Sequence, residues 1–158
     1  MNLRALEIIY RNIDPWTMED HESSKDKIFA GIMQDIKDGI SFPFEKDGMV
    51  FYVMPETKFR AKLHLFSETK DVKTTLQSAR DLTAFMFDNI ASLEKIYGIT
   101  PHLKMIKVAN RVGWKQEGLL KDSFYSKSGA MKNQYIFGIT RKDFACQTHG
   151  TQCAKATS

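Results

Sequence analysis

The sequence predicts an α/β domain of the α+β kind, with a central mixed, mostly antiparallel sheet and flanking helices. Three observations carry this expectation. Apolar residues alternate through Phe59-Arg-Ala-Lys-Leu-His-Leu-Phe66 and then recur at helical spacing from Val72 onward. The period changes back at Lys95-Ile-Tyr-Gly-Ile-Thr100 and changes again at Thr100-Pro101. Two hairpin signals, Lys46-Asp-Gly48 and Lys127-Ser-Gly-Ala130, join extended segments. A chain of 158 residues is expected to form one core. With no internal repeat or linker, residues 1–145 are assigned to one domain and 146–158 to a polar C-terminal tail.

The elements follow in order. Leu6, Ile8 and Tyr10 alternate with Glu7, Ile9 and Arg11, so Leu3–Ile13 is expected to be a first strand. Asp14-Pro-Trp16 ends it and starts a helical turn. Ile28, Phe29, Ile32, Met33 and Ile36 give Lys25–Lys37 one apolar helical face, closed by Gly39. Ile40–Phe44 and Met49–Met54 form a hairpin, and Pro43 places its first arm at an edge of the sheet. In the next strand Phe59, Ala61, Leu63 and Leu65 face one way, and Arg60, Lys62 and His64 the other. Val72, Leu76, Ala79, Leu82, Phe85, Met86, Ile90 and Leu93 mark a long helix face. After the strand Lys95–Thr100, Thr100 is the expected N-cap and Pro101 the first residue of a helix that runs to Val112 and buries Leu103, Ile106, Ala109 and Val112. The last hairpin is Trp114–Tyr125 with Gln134–Thr140.

Apolar residues make up 42% of the chain and charged residues 27%, ordinary values for a globular protein. No run of about 18 apolar residues is present, so no membrane-spanning helix is expected. The N-terminus lacks a secretory pattern, which points to the cytoplasm. A net charge of +4 permits an anionic ligand but is too small to argue for nucleic acid. Cys146, His149 and Cys153 offer three ligands at loose spacing where a structural zinc site takes four, so no metal is expected and the two cysteines are read as free thiols. The stretch Thr148–Ser158 has the composition of a disordered end.

The most specific stretch is Asn110-Arg-Val-Gly-Trp-Lys-Gln-Glu-Gly-Leu-Leu-Lys-Asp-Ser-Phe124. Gly113 ends a helix, Trp114 opens an extended segment, and Gly118 interrupts it where a bulge or a close backbone approach belongs. With the returning strand Tyr135–Arg141, this ending resembles the C-terminal half of the Gcn5-related N-acetyltransferases, the GNAT superfamily. It is most similar to the divergent GNAT-like proteins of tailed phages and prophages. The order β, α, βββ, α, β, α, ββ matches that family less one N-terminal helix or part of one.

The resemblance implies an acyl-CoA N-acyltransferase fold with acetyl-CoA as co-substrate, its donor lying in a splay between Phe59–Phe66 and Lys95–Thr100. It implies thioester contacts near Leu65, Phe66 and Ser67, and a pyrophosphate on the N-terminus of the long helix, near Lys70, Lys73, Thr74 and Thr75. The family's loop there is glycine-rich, whereas this chain has no glycine between Met49 and Gly98, and Glu68 and Asp71 oppose a phosphate. The loop is thus either a degenerate CoA site or an ordinary capped helix start, with Asp71 favourable to the helix dipole. Lys104, Lys107 and Arg111 make one positive helix face, turned to the adenosine phosphates or simply solvated. Four residues before the helix-ending glycine, where many members carry a Tyr acid, stands Ala109; where a related branch has Ser and Asn stand Met105 and His102. His64, Glu117 and Tyr125 are the remaining acid–base candidates, with Asp122 beside them.

Three functions are consistent with these residues: acetyl transfer from acetyl-CoA to an amine, a catalytically inactive GNAT-fold component of a phage virion or head, and a regulator that binds a host partner through a basic surface. The first implies an acyl-CoA and an amine acceptor as partners, the second virion proteins, in the host cytoplasm or the virion.

Overall fold

A computed structural model describes residues 2–13, 24–126 and 129–149, with side chains as far as residue 147. The elements are α1 (Leu3–Asn12), α2 (Lys25–Lys37), β1 (Phe42–Lys46), β2 (Met49–Thr57), β3 (Arg60–Ser67), α3 (Val72–Asn89), β4 (Lys95–Thr100), α4 (Leu103–Arg111), β5 (Lys115–Tyr125), β6 (Met131–Thr140) and α5 (Arg141–His149). The strands form one sheet in the order β1-β2-β3-β4-β6-β5. Only β3 and β4 run parallel; the other neighbours are antiparallel, as the sequence predicts.

The first element departs from expectation. Leu3–Asn12 is a helix, because Ala5, Leu6, Ile8 and Ile9 share a buried face while Tyr10 is 40% exposed. The Asn2 side chain accepts the Ala5 N–H and caps it. No strand therefore precedes the sheet among the described residues, and the order begins α, α. The expected turn at Asp14–Trp16 lies outside the described residues. The helix α2 has the predicted bounds; Ser24 caps its start, and Gly39 follows its end at φ +71°.

Asp47 and Gly48 both take positive φ, the type I′ geometry that joins two-residue hairpins, and β1 with its Pro43 is an edge strand. The second arm runs on to Thr57. The helix α1 and part of α2 pack on one face of the sheet, where Ala5, Ile8, Ile9 and Ile32 meet Val50, Tyr52 and Phe66. On the other face Ala79, Leu82, Met86 and Phe87 of α3 meet Phe51, Leu63, Ile96 and Phe137.

Two residues of the expected α3 face are exposed, Val72 at 55% and Phe85 at 44%. Ser78 and Thr83 are buried in their stead, satisfied by Asp47 Oδ2 and the Ala79 carbonyl at 3.1 and 2.7 Å. Phe59 is also exposed, since it lies in the turn before β3. The fourth helix begins two residues later than expected: Thr100 still pairs with Tyr135 in the sheet, and His102 is the N-cap. Leu103 is consequently exposed, not buried. The helix α5 is absent from the sequence expectation; Phe144 anchors it against Phe87, with ring centroids 5.6 Å apart. Cys146 is disulfide-bonded, which corrects the expectation of a free thiol there, while Cys153 lies outside the described residues. No described helix is long and apolar enough to cross a membrane.

Candidate active site

The parallel pair β3–β4 is joined over only three positions, Arg60↔Lys95, Ala61↔Ile96 and Lys62↔Tyr97. Beyond them the strands diverge, since β4 keeps its full pairing with β6 from Lys95↔Thr140 to Thr100↔Tyr135 while β3 stays with β2. Gly98 stands where the strands part: a Cβ there would lie 3.3 Å from the Leu63 carbonyl oxygen. This is the splay expected between these two segments.

The divergence opens a cavity of about 360 Å³. Leu63, His64, Leu65, Phe66 and Ser67 form one wall, and Gly98, Ile99 and Thr100 the other. Asn12, at the end of α1, borders it from one face of the sheet. From the opposite face come Ala79 of α3, Met105, Val108 and Ala109 of α4, and Trp114. The apolar face of α4 thus lines a cavity, which explains why none of its residues is fully buried.

Among the described lining residues only His64 and His102 carry side chains that titrate. His64 is half-buried and lies opposite Tyr52 in the β2–β3 register, hence on the α1 face. Two lining residues also carry the buried polar atoms that lack a partner among the described residues, Ser67 Oγ and Trp114 Nε1. Native interiors leave few such groups unsatisfied, and they mark places where water or a ligand completes the bonding.

The candidate residues divide accordingly. His64, Leu65, Phe66 and Ser67 line the cavity. Glu117 is at the other end of β4, paired with Lys95 at 2.6 Å, and its carboxylate covers Gly138, where a Cβ would meet it at 2.7 Å. Tyr125 ends β5 opposite Met131 and is 47% exposed, off the cavity wall. Lys104, Lys107 and Arg111 are on the exposed side of α4.

Lys70, Lys73, Thr74 and Thr75 surround the start of α3, away from the cavity lining. There Asp71 Oδ2 accepts from the Thr74 hydroxyl and N–H at 2.6 and 2.7 Å, and the Thr75 hydroxyl donates to the Asp71 carbonyl at 2.8 Å. The Thr74 hydroxyl first, then its N–H, hold the Asp71 carboxyl below the usual carboxylate range. The helix start is therefore capped by its own side chain. Spacing marks Trp114 only as the opening of a strand and marks Asn12 not at all, because their approach to the cavity depends on how α1 and the α4–β5 turn pack.

No family model matches the sequence, and no curated protein matches it. Solved structures do. A variant of spermidine N-acetyltransferase SpeG from Vibrio cholerae superposes with a TM-score of 0.70 at 17% identity, over 93% of this chain and 96% of that one. The same enzyme in complex with CoA and spermine gives 0.64 at 16% identity, over 90% and 88%. Mycobacterium smegmatis RimJ in complex with CoA-disulfide gives 0.63 at 16% identity, over 95% and 87%. The fold is that of the Gcn5-related N-acetyltransferases.

Proposed function

We propose that the protein is an N-acetyltransferase that moves an acetyl group from acetyl-CoA to an amine. The observation that carries this reading is the cavity through the splayed sheet, bordered by α1 on one face and by α3 and α4 on the other. Such a passage lets a thioester enter from one side and an amine from the other, so that two reactants are held in line. The β4-facing edge of β3 beyond Lys62 has no strand partner among the described residues. Its backbone groups near Leu65–Ser67 are suited to hold the donor and to polarise the thioester carbonyl. The structural neighbours named for spermidine acetylation, one of them a complex with CoA and spermine, support an amine acceptor at this general level.

His64 lines the cleft and is assigned the acid–base chemistry, whereas Glu117 and Tyr125 would have to act from outside it. Lys70, Lys73, Thr74 and Thr75, with Lys104, Lys107 and Arg111, are proposed to receive the phosphates. The capping by Asp71 and the loop without glycine favour a second reading: a GNAT-fold protein of phage type that has lost CoA binding and serves in a virion. A thermal-shift titration separates the two. At acetyl-CoA one hundred times above Kd, binding raises stability by about 2.7 kcal/mol. Lys73→Glu is expected to weaken that binding through charge at the helix start. No shift at millimolar acetyl-CoA, and indifference to Lys73→Glu, would reject the enzyme reading.

A further inference from the structure

We propose that His102, at the entrance to α4, is the acid that protonates the departing CoA sulfur, while His64 across the cleft takes a proton from the attacking amine. The inference rests on the acyl-transfer reading above and divides its proton chemistry between two rings.

Three observations lead to His102. Among the described residues the cavity wall offers no titratable side chain except these two histidines, which makes them its candidates for proton transfer within the cleft. Along α4 the wall is apolar, with Met105, Val108 and Ala109, so no other acid stands deeper on that helix. Finally, the His102 imidazole is not spent on structure. It occupies the N-cap position but makes no cap hydrogen bond; the turn is held by Thr100 Oγ1, which accepts the His102 N–H at 3.1 Å. A cap residue of this kind usually places its side chain on the helix N–H groups. Here the ring is exposed at the rim of the cavity.

The two rings belong to different sides. His64 shares the α1 face with Tyr52, and His102 joins β4 to α4, the side from which the donor enters in this reading. The chemistry follows from that placement. A neutral amine forms the C–N bond with its lone pair as the carbonyl π pair moves to oxygen. The N–H proton passes to the neutral imidazole of His64. The oxygen pair then returns, the C–S bond breaks, and its electrons leave on sulfur. The imidazolium of His102 gives its proton to that thiolate. One proton leaves nitrogen and one arrives at sulfur, and exchange with solvent restores both rings. Imidazole suits both tasks because it gains and loses a proton near neutrality.

The test compares wild type with His102→Gln using two acyl donors and spermidine or a peptide N-terminus as acceptor. One donor is acetyl-CoA; the other is the acetyl thioester of an aryl thiol, whose thiolate leaves without needing a proton. Loss of a general acid is expected to lower turnover of acetyl-CoA by about 100-fold and to change turnover of the aryl thioester by less than about threefold. The melting shift caused by CoA should be the same in both proteins, and His102→Asn should repeat the pattern. Turnover of acetyl-CoA within twofold of wild type overturns the assignment, as does an equal loss with both donors, which would make His102 a positioning residue. A wild-type protein that transfers acetyl from neither donor overturns the acyl-transfer reading along with it.

Discussion

Trp114→Ala is expected to lower the stability of the fold by about 3–5 kcal/mol, the range for truncating a large aromatic ring in a packed core. Trp114 is 7% exposed, and its ring meets Phe51 of β2 edge-on with centroids 6.3 Å apart. Its backbone position is fixed from both sides. Gly113 takes φ +90°, which turns the chain out of α4, and the Trp114 N–H donates to the Ala109 carbonyl at 2.9 Å. The backbone cannot follow the side chain into the space that truncation leaves, so the cavity term is retained. Because Trp114 Nε1 has no partner among the described residues and phenylalanine keeps part of the ring volume, Trp114→Phe is expected to cost less than Trp114→Ala. Denaturant unfolding of both variants measures the difference at unchanged m. A loss below about 1 kcal/mol in Trp114→Ala would remove the ring from the core.

Much of this architecture is legible in the chain because local and tertiary signals agree. The strand Lys95–Thr100 has its predicted bounds, and the Asp47-Gly48 turn takes the geometry its residues favour. The splay is legible only through the family resemblance, since no local pattern says that β3 and β4 part after Lys62. The N-terminal helix departs from the expected strand because apolar residues at 6, 8 and 10 also alternate as a strand would. Ala5 and Ile9, both fully buried, decide for the helix, and Asn2 supplies its local cap signal. Thr100-Pro101 failed in the opposite way: it has the chemistry of a helix start, but sheet pairing with Tyr135 holds Thr100 in β4. At the site, His64 was visible as a strand histidine beside the expected cleft. His102 was visible only as a substitution in a family position, because its approach to the cavity is created by that later helix start.

Arg141→Ala is expected to cost roughly 2–4 kcal/mol, because one guanidinium closes the end of α3 and the turn after it. The last carbonyls of a helix have no partner within the helix, and a cation there is also favoured by the dipole. Arg141 supplies both. Its Nη1 donates to the Phe87 carbonyl at 2.6 Å, its Nη2 to Ile90 and Ala91 at 2.8 and 3.3 Å, and its Nε to Leu93 at 2.9 Å. The same group lies over the Phe87 ring, 5.3 Å from its centroid. The Arg141 N–H donates to the Glu94 carbonyl at 2.8 Å, so the start of α5 is tied to the residue before β4. Lysine keeps the charge but has no planar fork to reach several carbonyls together, and Arg141→Lys should restore less than half of the loss. Amide exchange should accelerate first at Ile90–Leu93, before the global transition. The contacts of Arg141 lie at the paired end of β4, whereas the cleft opens beyond Gly98 at the other end, so acetyl-CoA binding should survive in the folded fraction of Arg141→Ala. A loss below about 1 kcal/mol would show that water replaces the guanidinium at these carbonyls without penalty. Loss of CoA binding with the fold intact would instead mean that the two ends of β4 are coupled.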